Sequence, residues 1–180
     1  YLEGERAFVR GQETNLGNLT ADAQLSALAE ALGEDASTTF MASLKNGGGI
    51  RAQIGSVIDT ANGPVKSPTL ANPDVGKASG AISQLDIENS LRFNNGLMAV
   101  DVSSADLLAI LEYGVGGTPP TGQGRFPQIG GVSFSWDPTK PVGQRVSDVA
   151  LIDDEGKIVA KIADDGQILD RKLLVGQVVD

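Results

Sequence analysis

The residues best suited to chemistry lie between Lys45 and Arg51, in the segment Lys-Asn-Gly-Gly-Gly-Ile-Arg. Three successive glycines open backbone conformations that other residues avoid, so such a loop can bring its N–H groups close to a ligand. The Asn, Lys and Arg around the glycines would add polar and positively charged contacts. The segment therefore favours a cradle for an anionic group, although a glycine-rich surface turn would have the same sequence.

The composition limits which chemistry is possible. The chain has 180 residues, is 41% hydrophobic, and carries a formal net charge of −9. This profile predicts one globular domain, and the acidic balance argues against a nucleic acid polymer or an anionic membrane surface as partner. No apolar run approaches the about 20 residues of a membrane span. With no cysteine and no histidine, thiolate and imidazole catalysis and the usual zinc sites are excluded, so autonomous hydrolysis is not expected.

Several basic residues stand out against this acidic background, because each lies in or beside a recognisable motif. They are Arg10, Lys45, Arg51, Arg92 and Arg125. If they converge in space, they would form a positive pocket within a negative shell. The chain also starts abruptly, with Tyr-Leu-Glu, and we expect it to be a fragment of a longer protein.

The first half of the chain predicts a helix and a strand on either side of these basic residues. A helix beginning near Asn15 and ending at Gly33 is indicated by apolar residues at helical spacing. They are Leu16, Leu19, Ala23, Ala27, Leu28 and Leu32. Arg10, just before this helix, either solvates its start or points toward a site there. Residues 38–44 predict a buried strand that leads into the glycines, and a short turn and strand follow over 50–58. No Gly-Lys-Ser/Thr follows the glycines, so a P-loop is rejected.

The second half predicts a long surface loop over residues 59–80, rich in Gly, Pro and Asn, and then a short helix over 82–91. Phe93 falls in the next loop, before a strand over 97–102. This aromatic side chain either plugs the core or offers its face to a planar ligand, in which case stacking contributes about 1 to 3 kcal/mol. Asn95 could meet the polar edge of the same ligand.

The remaining elements are a helix capped by Ser103 and Asp106 and ending near Gly114, then a group of strands. Residues 132–136 alternate in strand fashion, which predicts that Val132, Phe134 and Trp136 face the core. Strands over 145–152 and 157–162 are joined by the acidic turn 153–156, and a second acidic turn follows at 164–166. Neither turn has the spacing of a calcium loop, so both are interpreted as hairpin turns.

Three separate stretches carry a resemblance that one alone could not. Residues 10–19, 46–51 and 91–97 occur in the order and rough spacing of the C-terminal domain of 5′-nucleotidases, a family that includes UDP-sugar hydrolases and 2′,3′-cyclic-nucleotide phosphodiesterases. Residues 124–131, leading into 132–137, resemble the next block of that family. The resemblance covers nearly the whole chain, and it is specific through the combination of motifs.

The resemblance implies an α+β fold with mixed sheets and flanking helices, forming a single domain over residues 1–180. In this family the C-terminal domain grips the nucleotide. An N-terminal metallophosphatase domain, absent from this chain, holds two divalent metal ions and hydrolyses the phosphoester. The chain itself would then contain no cofactor and no catalytic residue, and its parent would be periplasmic or extracellular.

The resemblance also implies a substrate-binding role for specific residues. Arg10 and Arg51 would contact the anionic part of the substrate, Phe93 would stack on the base, and Asn95 would meet the base edge. The adjoining pocket would be shaped by three residues of the glycine segment, namely Asn46, Gly48 and Gly49.

Two departures from the family pattern affect these expectations. Relatives commonly have Pro-Phe-Gly-Asn where this chain has Arg-Phe-Asn-Asn at 92–95. The family also continues into a Gly-Gly-Asp-Gly segment, which supplies a second stacking aromatic and an Asp for the ribose, and this sequence ends before it. We therefore expect a domain truncated at its C-terminal end, with millimolar affinity, about −4 kcal/mol. Two alternatives stay open: a protein-interaction module with the same fold, or part of a phosphatase or cyclic phosphodiesterase acting on other esters.

Overall fold

A computed structural model describes residues 1–33, 40–117, 122–164, 167–169 and 172–179. The helices are α1 (Arg6–Val9), α2 (Asn15–Leu32), α3 (Gln84–Ser90) and α4 (Ser104–Val115). The strands are β1 (Met41–Asn46), β2 (Ser56–Thr60), β3 (Gly63–Ser67), β4 (Gly96–Ser103), β5 (Pro127–Gly130), β6 (Val132–Trp136), β7 (Val146–Ile152), β8 (Ile158–Lys161), β9 (Ala163–Asp164), β10 (Gln167–Ile168) and β11 (Lys172–Val179). The predicted α+β class with mixed sheets and flanking helices is confirmed.

The main sheet has the strand order β4-β11-β1-β5. β1 runs parallel to β11 and antiparallel to β5, and β11 runs antiparallel to β4. Along β1, Ala42 and Leu44 enter the larger hydrophobic core with Leu107 of α4, whereas the Ser43 hydroxyl donates to the Ala21 carbonyl of α2 at 2.6 Å. Because neighbouring side chains of a strand point to opposite faces, α2 and α4 lie on opposite sides of this sheet.

A second, antiparallel sheet has the order β6-β7-β8. Val132 of β6 is buried in the larger core, and Phe134 packs against it while half-buried. Trp136 is also only half-buried, and its ring meets the buried Phe126 ring edge-on at 5.9 Å between centroids. The prediction of a core face is therefore confirmed for Val132 and only partly for the two aromatic residues.

The helix predicted to end at Gly33 is confirmed as α2, which begins at Asn15 and is capped by the Thr14 hydroxyl. The predicted apolar stripe is partly wrong, because Leu19 is 50% exposed. Small and polar residues lie on the buried face instead, since α2 packs closely on β1 and β5. Its buried residues are Leu16, Gly17, Thr20, Ala21 and Leu28.

The prediction of an unstructured loop over 59–80 is wrong. The hairpin of β2 and β3 extends into it, and a 3-10 turn follows at Pro73–Val75. The hairpin turn ends at Gly63, which has a φ of +103°. Glycine adopts this positive φ without the steric strain that other residues would have. Most of the hairpin is exposed on both faces, so its sequence lacks the apolar alternation by which strands are predicted.

The other predicted elements are found with small shifts in their bounds. β1 begins at Met41 and extends to Asn46, while residues 38 and 39 lie outside the described residues. α3, β4, α4, β7 and β8 match their predictions, and the predicted Ser103–Asp106 cap is a capping box. Residues 165 and 166 of the second acidic turn also lie outside the described part of the chain.

A smaller hydrophobic core lies apart from the larger one. Several of its residues come one or two positions before Arg10, Arg51 and Phe93 in the sequence. Its buried members are Val9, Leu16, Ile50 and Ile54, and Leu2 and Leu91 pack against it. Burial of these side chains stabilises the fold by about 1.5 to 3 kcal/mol each. This core therefore holds together three segments that are distant in sequence, and we refer to it as the smaller core.

Candidate functional site

The smaller core brings the predicted site residues to one place. Val9 and Ile50 are buried within it at 0% and 2% exposure, and the residues that follow them are Arg10 and Arg51. Leu91 packs against the same core, two residues before Phe93. The three family-like segments therefore converge because the apolar residue that precedes each side chain is held in one cluster.

Arg10 and Arg51 lie within electrostatic range of each other. Burial lowers the pKa of Arg10, and the positive charges of Arg6 and Arg51 lower this pKa further. The Nε atom of Arg10 is buried without a hydrogen-bond partner, and none of the ion pairs among the described residues involves these arginines. The cluster thus combines crowded positive charge with an unused donor, which an anion would satisfy.

Arg6 was not among the predicted site residues. It lies in the short helix α1, four residues before Arg10, and residues at that spacing share one face of a helix. The Arg-x-x-x-Arg spacing was the signal that could have found it.

Arg51 and Phe93 are in direct contact. The guanidinium carbon of Arg51 lies 5.7 Å from the centroid of the Phe93 ring, within the range of a cation–π interaction. Arg51 Nη1 also donates to the Gly48 carbonyl at 3.2 Å. Phe93 is 51% exposed, so the interpretation of this residue as a core plug is wrong. An aromatic face and a positive charge are thus presented side by side to solvent.

The glycines form a 3-10 turn, Gly47–Gly49, but the predicted amide cradle is wrong at two of its positions. The N–H of Gly47 donates to the Phe126 carbonyl at 2.8 Å, and that of Gly48 donates to the Gly124 carbonyl at 2.7 Å. These amides are already engaged within the fold. The glycines are needed for close packing instead: a Cβ on Gly47 would lie 1.8 Å from the Val9 carbonyl oxygen, and one on Gly48 would lie 3.0 Å from the Gly124 Cα.

Asn46 ends β1 and lies beside the glycine turn. A Cβ on Gly49 would lie 3.4 Å from its Oδ1 atom and 3.5 Å from the Lys45 ammonium nitrogen. Asn46 also lines a neighbouring pocket of about 520 Å³ together with Arg125 and Tyr113. The guanidinium of Arg125 lies 4.2 Å from the Tyr113 ring centroid, so Arg125 belongs to this neighbouring pocket.

Arg92 and Asn95 flank Phe93 in the loop between α3 and β4. The Nε of Arg92 donates to the Asn89 carbonyl at 3.2 Å, and its side chain is exposed. Asn95 is half-buried directly before β4. Val179 of β11 pairs with Gly96 of β4, so the C-terminal end of β11 reaches the edge of the sheet from which this loop emerges.

Ser90 positions Phe93 relative to Arg51, and no sequence pattern indicated it. This residue is fully buried. Its hydroxyl donates to the Ala52 carbonyl at 2.8 Å, and its own carbonyl accepts from the Arg51 N–H at 2.8 Å. The last turn of α3 is therefore tied directly to the segment that carries Arg51.

Gln128 positions Arg10, and it too was missed. Its side chain is 1% exposed. Its Nε2 donates to the carbonyls of Val9 and Gln12, at 3.1 and 2.8 Å, and its Oε1 accepts from the Thr14 N–H at 3.1 Å. One buried amide thus holds the backbone on both sides of Arg10 against β5.

Within the described residues, no group of three or more Asp or Glu side chains is arranged to hold a metal ion. In the same part of the chain, no helix combines the length and apolarity that crossing a bilayer requires.

Comparison with known proteins was made against families, curated sequences and solved structures. The family model described as 5′-nucleotidase, C-terminal domain matches residues 2–170. The chain is 31% identical over 164 residues to the trifunctional nucleotide phosphoesterase protein YfkN of Bacillus subtilis, covering 91% of this chain and 9% of that protein. It is 30% identical over 154 residues to Protein 5NUC of Lutzomyia longipalpis, covering 84% and 24%.

Solved structures that resemble the fold include two nucleotidases. The 5′-nucleotidase precursor of Thermus thermophilus superposes with a TM-score of 0.63 and 31% identity, over 97% of this chain and 27% of that one. The NAD nucleotidase of Haemophilus influenzae gives a TM-score of 0.59 over 98% and 26%, and at 16% identity it shows the fold alone. The chain therefore spans about a quarter or less of the length of these relatives.

Proposed function

The chain belongs to the 5′-nucleotidase C-terminal domain family, and on that premise we propose that it is the nucleotide-recognition domain of a 5′-nucleotidase-like phosphoester hydrolase. The single observation that carries the proposal is the contact between Arg51 and the exposed Phe93 ring, with Arg10 in electrostatic range. A nucleotide combines the two properties that this arrangement suits, since it joins an anionic phosphate to a planar aromatic base. Two relatives named for nucleotide hydrolysis support the same ligand class.

Arg10 and Arg51 would bind the phosphate, with Arg6 adding to the positive field. A guanidinium keeps its charge at all relevant pH values and pairs with two phosphate oxygens at once. Hydrogen bonds to charged groups contribute about 1.5 to 3 kcal/mol each. The unpaired donor of Arg10 and the repulsion between like charges both favour an incoming anion.

Phe93 would stack on the base, which contributes about 1 to 3 kcal/mol in comparable contacts. Asn95 would hydrogen-bond the base edge, because an amide offers both a donor and an acceptor. Asn46, Gly48 and Gly49 would shape the wall of the pocket beside Arg51. Because the Gly48 carbonyl accepts from Arg51, this wall also orients the guanidinium.

Hydrolysis would be carried out by a separate N-terminal metallophosphatase domain with two divalent metal ions. The chain has neither histidine nor cysteine, and its described residues offer no metal-binding group, so they do not fit a dimetal centre and we assign none of its steps to this chain. The domain would then present the nucleotide to its partner domain. By analogy with the family, we place the whole protein in the periplasm or outside the cell.

The proposal is tested by titrating the chain with a nucleoside monophosphate at low salt and following backbone amide shifts. We expect millimolar binding, with the largest shifts near Arg10, Arg51 and Phe93. Arg51→Ala should weaken binding about tenfold or more, the loss of one charge-assisted contact. Arg92→Ala is the matched control, because it removes the same charge from an exposed side chain next to Phe93 in sequence and should have little effect.

Equal losses in Arg51→Ala and Arg92→Ala would contradict the proposal, since they would indicate nonspecific attraction. Absence of binding by the unaltered chain would favour a protein-interaction module instead. Phosphate release by the purified chain at an enzyme-like rate with added divalent metal would contradict the assignment of catalysis to another domain.

A further inference from the structure

A second concave surface lies outside the candidate nucleotide site. It is a groove of about 700 Å³ bounded by residues 18–26 of α2, the segment from Phe126 to Trp136, and the turn between β7 and β8. None of the seven predicted site residues lines it. We call it the acidic groove. It is lined by carboxylates, whereas the candidate nucleotide site carries Arg6, Arg10 and Arg51, which we call the arginine cluster.

The floor of the acidic groove is apolar and aromatic. Leu25, Ile129, Phe134 and Trp136 line it, and each is only half-buried. Removing such surface from water is favourable. The floor therefore offers apolar area to a partner in addition to any charged contact.

The rim of the acidic groove carries four carboxylates from three separate elements, and among the described residues no lysine or arginine lines it. They are Glu13, Asp22, Asp153 and Asp154. None of them takes part in an ion pair within the described part of the chain. This rim therefore places negative charge around an apolar floor.

Two of the four carboxylates have local hydrogen-bonding roles. Asp153 accepts from the backbone N–H groups of Glu155 and Lys157, at 3.1 and 2.9 Å, and Glu13 accepts from the Asn18 side chain at 2.6 Å. Asp22 and Asp154 remain for a ligand. Burial raises the pKa of Asp22, and the negative charge of Asp154 raises this pKa further. The two carboxylates therefore lie within electrostatic range of each other.

We propose that the acidic groove docks a segment of a protein partner that carries an arginine or lysine beside apolar side chains. The cationic group lies between Asp22 and Asp154, and the apolar neighbours cover Phe134 and Trp136. Charge complementarity selects this occupant, because nucleic acids and anionic ligands are repelled. Within the described residues, no three or more acidic side chains are arranged to hold a metal ion. A second copy of this chain is disfavoured by its own net charge of −9.

Trp136 is the only tryptophan of the chain, so its fluorescence reports on the groove directly. The probe is the peptide acetyl-Gly-Leu-Arg-Leu-Lys-Gly-amide, compared with the same peptide carrying glutamate in place of arginine and lysine. The basic peptide should shift the Trp136 emission in a saturable manner at low salt, and the acidic peptide should not. Asp154→Asn should weaken the basic peptide at least fivefold, and Asp22→Asn should do the same.

Glu155→Gln is the matched control, because Glu155 is an exposed carboxylate of the same turn that does not line the groove. It should leave peptide affinity within twofold, and circular dichroism checks that every variant is folded.

Equal weakening by Asp154→Asn and Glu155→Gln would overturn the proposal, as would equal binding of both peptides. Binding of arginine amide as tight as that of the peptide would also overturn it, because a small cation would then be sufficient. The nucleotide titration should be unchanged in Asp154→Asn, which separates this test from that of the proposed function.

Discussion

The two sides of the candidate nucleotide site are built in different ways. On the arginine side, the backbone around Arg10 is held by three hydrogen bonds with the buried Gln128, which donates two and accepts one. Gly47 is packed against the Val9 carbonyl. On the aromatic side, Phe93 lies in a loop that leads into β4, a strand exposed along most of its length. The side proposed to bind the phosphate is therefore part of the fold, whereas the side proposed to bind the base is attached to it through Ser90 and Leu91.

This difference has a physical consequence for substitutions. A phosphate is common to all nucleotides and needs donors at fixed positions, whereas a stacking face tolerates any base because every base has a π-face. Substitutions on the arginine side should therefore cost both stability and binding. Substitutions on the aromatic side should cost binding alone.

The largest effect is expected for Gly47→Ala. The added methyl would lie 1.8 Å from the Val9 carbonyl oxygen, so the backbone that carries Arg10 or the glycine turn must move. Overpacking of this kind costs about 3 kcal/mol, which urea unfolding should show as a lower midpoint. Gly96→Ala is the control, because nothing lies within 4 Å of its added Cβ. An unchanged midpoint for Gly47→Ala would show that the arginine side is not tightly packed.

Gln128→Leu should have the next largest effect. It keeps a side chain of similar size but leaves the Thr14 N–H and the carbonyls of Val9 and Gln12 without their partner. Buried groups left unsatisfied cost about 1 to 3 kcal/mol, and displacement of Arg10 should weaken nucleotide binding as well. Thermal unfolding and the amide-shift titration measure the two effects. If Gln128→Leu lost stability but kept its full nucleotide affinity, Gln128 would not be needed to position Arg10.

Phe93→Ala, on the aromatic side, should weaken nucleotide binding without destabilising the fold. Because the side chain is 51% exposed, its removal should change the free energy of unfolding by less than about 0.5 kcal/mol. Loss of stacking should weaken nucleotide binding by about 1 to 3 kcal/mol, whereas Phe93→Trp should retain it. A destabilised Phe93→Ala variant with unchanged affinity would assign Phe93 to structure rather than to binding.

The smallest effect concerns the cap of α3, the helix that leads to Phe93. The Lys77 ammonium and the Ser83 hydroxyl and N–H hold the pKa of Asp86 at about 2. Because this pKa is lower in the folded state than in the unfolded chain, where it is about 3.9, the stabilisation is present above that value and is lost as the pH falls toward 2. Asp86→Asn should cost about 1 kcal/mol at neutral pH.

The stability difference between Asp86→Asn and the unaltered chain should therefore shrink between pH 4 and pH 2, as measured by urea unfolding. A difference that stays constant over this interval would show that the Asp86 carboxylate does not titrate there. Nucleotide affinity at neutral pH should change little, because the cap acts on the helix and not on the ligand.

The proximity of the candidate site residues could be predicted from the sequence because they lie in short motifs whose order is characteristic of the family. Arg10, Arg51 and Phe93 are brought together as those motifs suggest. The roles of Ser90 and Gln128 could not be predicted from the sequence. A buried polar side chain stabilises the fold through hydrogen bonds to backbone groups, and only the tertiary fold brings those groups near. The carbonyls that Gln128 contacts belong to residues more than a hundred positions away.

The glycine turn illustrates a different limit of sequence analysis. Glycines serve ligand contact and close packing equally well, and the sequence does not distinguish the two roles. At Gly47 and Gly48 the amides are engaged by the segment 124–126. The hairpin of β2 and β3 was missed for another reason, because a strand exposed on both faces shows no apolar alternation.

The central claim, that the arginine cluster and Phe93 form the two ends of one nucleotide site, is tested most directly by comparing three ligands. Inorganic phosphate, a nucleoside and the corresponding nucleoside monophosphate are titrated separately while backbone amide shifts are followed. Phosphate should shift amides around Arg10 and Arg51, the nucleoside those around Phe93 and Asn95, and the nucleotide both sets with the highest affinity. A nucleotide that shifts only one set, or that binds no more tightly than phosphate alone, would contradict the account.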